Sequence, residues 1–518
     1  MGLFLTILLY ACIIFFLLGL WLTLILTGII RVKPAPAKSS VTVLVLGDIG
    51  RSPRMQYHAL CLSKHFEHVD LIGSAGTTPK EAILAQKNIR VIPMKPFPGL
   101  PAEIPRTLRK ILFLFYAPLK ISAQIIQLFW TLLFVAQKPT HMLLQNPPSL
   151  PTLIVMWVAS RLRGAQFVVD WHNLGYTILA LSLGDGHPLV KVARWVERIF
   201  GAKLADSHLT VTEAMKKFLI DEWGVDPKKH PINVLRDQPH GGTFQPFGPG
   251  ERGDFFSGFV DREVEELKTD TLHNLSEEQH KILAAAKAEA GVGSGDISGK
   301  SVAVVVSSTS WTPDEDFSVL LDALKAYDDD PKSKKSLLVV ITGKGPQREL
   351  YLNKFFEMKM KKVLVLSVWL PAEFYPKVLA CADVGVSLHQ SSSKLDLPMK
   401  VLDMFGAGLP VFARWYQWYT NKHFFFLNHF LNYYCLFYFY FYFYFYFFYS
   451  LEDELVNEDV TGRTFKDSEE LAKLFSEYIN GESQKKVPVF RENVIKRVKE
   501  TGSWEDEWMK NGLPLFTN

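Results

Sequence analysis

Cysteine is scarce in this chain of 518 residues: Cys12, Cys61, Cys381 and Cys435 are the whole complement, and no two stand at CxxC spacing. That count excludes a disulfide framework and a thiolate metal site, and it fits a reducing compartment such as the cytosol. Excess charge of one sign is lacking too. A formal net charge of +4 is small for this length and leaves no nucleic-acid footprint, so nucleic acid is not an expected partner. The stretch MGLFLTILLYACIIFFLLGLWLTLILTGII lacks charged side chains altogether, the first being Arg31.

That last absence carries information. A bilayer needs about 20 apolar residues to be spanned. A cleaved signal peptide calls for a basic leader and an apolar core of only about 7 to 15 residues. Neither feature is present, so residues 1–30 read as a single transmembrane anchor. Arg31, Lys33 and Lys38 follow directly and, by the positive-inside rule, assign the remainder to the cytosolic side.

The length admits two to four domains of about 100 to 200 residues each. After the linker PAPAKSS, VTVLVLGDIG is a β-branched apolar run ending in a Gly-containing loop, which predicts a buried parallel strand opening a βα unit. HVDLIG, IRVIPM, HMLLQNPP and QFVVDWHN repeat that pattern, so residues 41–240 predict one Rossmann-like α/β domain. Residues 241–299 lose it and read as a linker with one polar helix. SVAVVVSSTSW, SLLVVITGKGP, KKVLVLSVWL and ADVGVSLHQ predict a second such domain over 300–475, followed by a helical segment over 476–518. Two doubly wound α/β domains facing across a cleft would bind a ligand at the carboxyl ends of their strands. Residues 110–138 are unusually apolar but interrupted by Pro118 and Lys120, and admit either a buried core helix or a second membrane contact.

Three loops of the second domain carry polar chemistry. In SSTSWTPDEDF, Ser308 and Thr309 either cap the next helix or offer hydroxyls to a phosphate at its N-terminus. TGKGP places Lys344 between glycines that let backbone approach a diphosphate, without the spacing of an ATP-hydrolysing P-loop. In HQSSSKLDLPMKVLDMFGAGLPVFA, a serine loop containing Ser392 leads into a helix start where Lys400 supplies counter-charge and Asp403 suits a ribose diol. The plain alternative is a solvated lysine and acid on a helix face.

With GDIGRSPRMQYHA, LLQNPPSLPTL, DWHNLGYTI and ELVNEDVTGRTFKDSEELA, these stretches make the chain resemble the GT-B glycosyltransferases, specifically the β-1,4-mannosyltransferases acting on chitobiosyl-diphosphodolichol. The likeness runs from residue 41 to about 475, with a departure at VLRDQP, where Arg236 stands in place of an aromatic residue. It implies GDP-mannose as donor and dolichol-diphosphate-chitobiose in the endoplasmic reticulum membrane as acceptor. It further implies other mannosyltransferases of that pathway as partners, and no cofactor or obligatory metal. Inverting transfer needs one general base, for which Asp48 and His172 are the candidates, each with a merely structural alternative. Arg51, Arg54 and Asn173 would bind the acceptor, and Glu454 would grip the donor.

Residues 414–450, which include CLFYFYFYFYFYFFYS, have no counterpart in that family. Phe and Tyr codons differ at one central base, so a thymine-rich repeat read in frame produces this alternation. The segment reads as a retained intron or a gene-model error rather than a functional insert. The rival readings are a GT-B enzyme using another nucleotide sugar, a membrane scaffold inactivated by the insert, and a tethered ligand-binding module that lacks turnover.

Overall fold

The computed structural model describes residues 40–99, 105–239, 243–248, 250–270, 275–290, 296–312, 315–371, 373–415 and 455–517. The apolar segment 1–30, almost all of the aromatic run 414–450 and Glu454 lie outside the described residues. The chain divides into two compact units, one formed by residues up to Arg236 together with Glu505–Asn518, the other by Asp237–Trp504.

The first unit is built on a seven-stranded parallel sheet in the order β3-β2-β1-β4-β5-β6-β7. The strands are β1 (Ser40–Asp48), β2 (His68–Ser74), β3 (Ile89–Pro93), β4 (His141–Asn146), β5 (Gln166–Trp171), β6 (Ser207–Thr210) and β7 (Ile232–Val234). Their Val, Ile and Leu runs are buried on both faces, as helices on both sides of a parallel sheet require. β1 loosens only in its last three positions, where the loop to α1 (Pro53–Ser63) begins. The strand order reverses between β1 and β4, the place where doubly wound sheets open a crevice at their carboxyl edge.

α2 (Arg106–Trp130) continues as a wider turn to Val135, and only 17 % of the apolar window within Tyr116–Val135 is buried. Over Tyr116–Val135 that goes against a buried core helix, and by length and composition alone this stretch is able to cross a membrane. α3 (Thr152–Arg163) lies between β4 and β5. α4 (Gly175–Leu183) and α5 (Pro188–Val196) lie between β5 and β6.

The second unit holds a six-stranded parallel sheet in the order β10-β9-β8-β11-β12-β13. Its strands are β8 (Val302–Ser308), β9 (Ser336–Thr342), β10 (Val363–Val368), β11 (Val384–Ser387), β12 (Val411–Arg414) and β13 (Gly462–Phe465). The expected linker over 241–299 is corrected here. It carries α6 (Glu251–Asp270) and α7 (Glu277–Glu289), which bury Phe256, Phe259, Ile282 and Leu283 within this unit. Arg252 fastens α6 to the sheet: it donates to the Cys381 carbonyl and pairs with buried Asp383 at 2.9 Å, which Lys300 also meets at 2.7 Å. Burial alone would push the Asp383 carboxyl up, but Lys300 and Arg252 prevail and hold it at about 2. The segment 476–518 is likewise not one element, because α8 (Lys486–Thr501) belongs to the second unit and Glu505–Asn518 to the first.

Candidate active site

Polar groups gather at the carboxyl edge of each sheet, and in the first unit they centre on Asp170, the next-to-last residue of β5. Its buried carboxylate accepts from Arg54 through Nε and Nη2, both at 2.8 Å, from His58 Nε2 at 3.1 Å and from His172 Nε2 at 2.7 Å. Burial raises the Asp170 pKa, but Arg54 and His172 outweigh it and keep the group ionised well below the usual carboxylate range.

An acceptor-only carboxylate fixes the protons on its partners. Both imidazoles carry hydrogen on Nε2. His58 Nδ1 accepts the indole N–H of Trp508 at 3.0 Å, so His58 is the neutral tautomer, and burial lowers its pKa further against the pull of Asp170. His172 is different. Its side chain is 22 % exposed, and with Nε2 committed to Asp170 its basic atom is Nδ1. The arrangement is an Asp–His dyad open to solvent on one side.

Asp48 is more heavily committed. It accepts from Thr77 Oγ1 at 2.5 Å, Thr77 N at 3.1 Å and Gly50 N at 3.2 Å, and lies 3.7 Å from Arg51. The Thr77 hydroxyl is the largest influence lowering its pKa. Arg51 is 82 % exposed and faces solvent. Arg54, expected beside it as an acceptor ligand, is instead buried: Asp170 takes Nε and Nη2, and the Leu235 carbonyl takes Nη1 at 2.9 Å. The inward face of α1 carries Arg54 and His58 one turn apart, which places both against Asp170. Asn173 is spent locally, accepting from Leu174 N at 2.7 Å and, through its carbonyl, from Asn146 at 3.2 Å.

Sequence reading missed Glu197, buried beneath this loop. It accepts from Gly175 N at 2.6 Å, Tyr176 N at 3.3 Å and Asn146 Nδ2 at 2.9 Å, so it caps the start of α4. Burial is the largest influence and pushes its carboxyl up to about 7 despite those donors. A raised carboxyl makes the folded state hold a proton that the unfolded chain has released. Its stabilising effect is therefore complete below pH about 4.5 and is lost as pH rises through about 7. Glu197→Gln is expected to flatten the fall in stability between those pH values, by roughly 3 kcal/mol, measured as urea unfolding midpoints across that range.

In the second unit the loops after β8 and β9 touch backbone to backbone. A Cβ on Gly343 would fall 1.9 Å from the Thr309 carbonyl oxygen, and one on Gly345 would fall 1.8 Å from that of Ser310, so only glycine permits this approach. Lys344 between them lies over the Trp369 ring at 4.4 Å. The Thr309 hydroxyl donates to buried Glu315, a second residue missed from sequence, which also accepts from Ser310 N at 2.8 Å and pairs with Lys400. Lys400 stands in the first turn of α9 (Met399–Gly406), and Asp403 one turn on is 3.3 Å from the Tyr375 hydroxyl, which also bonds Ser308 at 3.1 Å. Burial pushes Asp403 up to about 7, against Tyr375 and Lys400. Ser308, Thr309, Lys400 and Asp403 are thus linked through Glu315 and Tyr375, and Ser392 is half-buried in the loop after β11. Glu454 lies outside the described residues. Among the described residues no group of three or more His, Cys, Asp and Glu side chains is placed to hold a metal ion.

Residues 49–233 match the family model described as a glycosyl transferase 4-like domain. The human chitobiosyldiphosphodolichol beta-mannosyltransferase is 36 % identical, with 98 % of each chain covered. The Dictyostelium discoideum protein of that name is 41 % identical over 72 % of this chain and 77 % of its own length. An Arabidopsis thaliana protein named UDP-glycosyltransferase TURAN is also 41 % identical, over 71 % of this chain and 80 % of its own. Among solved structures, Anabaena HepE in complex with UDP-glucose aligns over 93 % of this chain and 100 % of its own with a TM-score of 0.54. At 14 % identity that likeness shows the fold alone, the GT-B type.

Proposed function

Because the chain belongs to the chitobiosyldiphosphodolichol beta-mannosyltransferases, we propose that it transfers mannose, with inversion, from GDP-mannose to the chitobiose of a dolichol diphosphate, forming a β-1,4 bond. The observation that carries the chemistry is the Asp170–His172 dyad at the carboxyl edge of the first sheet. His172 Nδ1 takes the proton from the attacking hydroxyl of the terminal sugar, and that oxygen bonds to the mannose anomeric carbon as the bond to the GDP oxygen breaks. Asp170 steadies the imidazolium that forms. Arg51 meets the acceptor diphosphate. Lys400, Lys344 and the start of α9 take the charge that develops on the leaving diphosphate, Ser308, Thr309 and Ser392 supply hydroxyls, and Asp403 with Glu454 holds the donor's sugar hydroxyls. No metal or other cofactor is needed for these steps.

The anchor composition of residues 1–30 and the basic residues after it support residence on the cytosolic face of the endoplasmic reticulum membrane, alongside other mannosyltransferases of the pathway. The test is transfer of labelled mannose from GDP-mannose to chitobiosyl-diphosphate lipid, by the chain as written and by one lacking residues 414–449, with UDP-sugars as competing donors. Transfer from GDP-mannose, undiminished by a chelator, is the expected result. Activity confined to the shortened chain marks the aromatic run as foreign text. Transfer from a UDP-sugar instead overturns the donor assignment.

A further inference from the structure

α4 has the sequence GYTILALSL and buries none of its nine residues. Gly175, Tyr176, Thr177, Leu179 and Ala180 are half-buried, while Ile178, Leu181 and Leu183 stand exposed, Leu181 at 61 %, an apolar side that the rest of the first unit does not cover. α5 beside it is held by buried Val190, Ala193 and Val196, while Leu189, Val192 and Trp195 form an exposed line at helical spacing, with Trp195 at 55 %. Lys191, Arg194 and Arg198 are exposed next to that line. The acidic groups nearest in sequence are Asp185, in the turn between the helices, and Glu197, which is buried and engaged with Asn146 and the start of α4. An apolar stripe with tryptophan, rimmed by cations, has the chemistry of a surface that lies in the headgroup region of an anionic bilayer.

This surface is continuous with α2. The crossovers from β3 to β4, β5 and β6 run in one direction across the sheet, so right-handedness puts α2, α3 and α5 on the same face. The contacts agree: Trp195 and Trp157 both meet Phe200 edge-on, at 5.8 and 5.4 Å, and Arg163 at the end of α3 donates to the Leu133 and Ala136 carbonyls at 2.7 and 2.8 Å. On that face α2 and its final turn expose Ile126, Trp130 and Phe134.

We propose that α4 and α5, together with the exposed side of α2, form a docking surface for an anionic lipid bilayer, directly beside the loop that carries His172. The inference rests on the lipid-linked acceptor of the proposed function and deepens it: α4 begins at Gly175, immediately after the His172–Asn173 loop, so seating it on the bilayer brings the base to the headgroup level where a lipid diphosphate emerges.

The test uses the full chain reconstituted in vesicles and two acceptors, the polyprenyl form embedded in the bilayer and the same chitobiosyl diphosphate on a short water-soluble alkyl chain. Leu181→Glu with Trp195→Glu is expected to lower transfer to the embedded acceptor at least tenfold, since burying one large apolar side chain is worth roughly a factor of ten or more. Transfer to the soluble acceptor should stay within about twofold, because both positions are exposed and outside the site. Lys191→Glu with Arg198→Glu should abolish any gain from adding phosphatidylserine to neutral vesicles. Equal losses with both acceptors, or none with either, overturn the proposal. A readout independent of catalysis is a nitroxide at Leu181→Cys, with Cys12 and Cys435 replaced by serine; Cys61 and Cys381 are buried. Preferential exposure of the label to oxygen supports docking, and preferential exposure to a water-soluble nickel chelate overturns it. A native chain that transfers to neither acceptor refutes the proposed function while the nitroxide still decides the surface.

Discussion

His172→Ala is expected to fold as the native chain does and to lose about a hundredfold to ten-thousandfold in kcat, the usual contribution of a positioned general base. The side chain is 22 % exposed, and Asp170 keeps Arg54 and His58 as partners when it is removed, so the buried carboxylate is not stranded. The loss should fall on kcat with little change in KM for either substrate. Asp48→Asn is the necessary comparison. Asp48 is bound by both Thr77 donors and by Gly50, and its lowered pKa makes it a weak proton acceptor, so the substitution is expected to cost less than about tenfold. A larger loss from Asp48→Asn than from His172→Ala would transfer the base assignment to Asp48. Asp170→Asn does not give as clean a result. It leaves the buried Arg54 guanidinium without its carboxylate, a change that costs on the order of 3–5 kcal/mol, so lower thermal stability should accompany the lost activity.

The sheets were legible because buried parallel strands advertise themselves locally, as VTVLVLG and SVAVVVSS do. Of α6 and α7 only one polar helix was legible, and not its packing, because their few buried residues are diluted among charged ones and what holds them is distant: Arg252 meets Asp383 from 131 residues away. The same distinction divides the site. His172, Asp48 and Lys400 stand in or just after loops at strand ends, where polar residues invite a functional reading. Asp170 is inside a buried strand, and nothing local says that Arg54, His58 and His172 converge on it. Trp508 reaches His58 across 450 residues, and Glu197 meets Gly175 from the far end of the next helices. Arg51 and Arg54 look alike in sequence, and only burial separates the one that faces solvent from the one consumed in holding the dyad's carboxylate.

Lys400→Ala is expected to lower kcat/KM for GDP-mannose by about a hundredfold to a thousandfold, the range found when a group aimed at developing charge is removed. A structural effect would look similar at first, because Lys400 is the counter-ion of buried Glu315, and stranding that carboxylate destabilises the second unit. The two causes separate in Lys400→Ala with Glu315→Gln. Glu315 retains the Thr309 hydroxyl and Ser310 N–H as donors, and glutamine keeps an oxygen to accept from them while discarding the charge. Stability should return in the double variant. Activity should not, if Lys400 neutralises the leaving diphosphate; recovery of both would reduce Lys400 to a structural counter-ion. Donor affinity in the native chain should also strengthen as pH rises through about 7, where Asp403 loses its proton and can accept from sugar hydroxyls. Lys400→Ala removes a nearby cation that favours the ionised form, so in that variant the same rise should move to higher pH, a displacement that fluorescence titration with GDP would read directly.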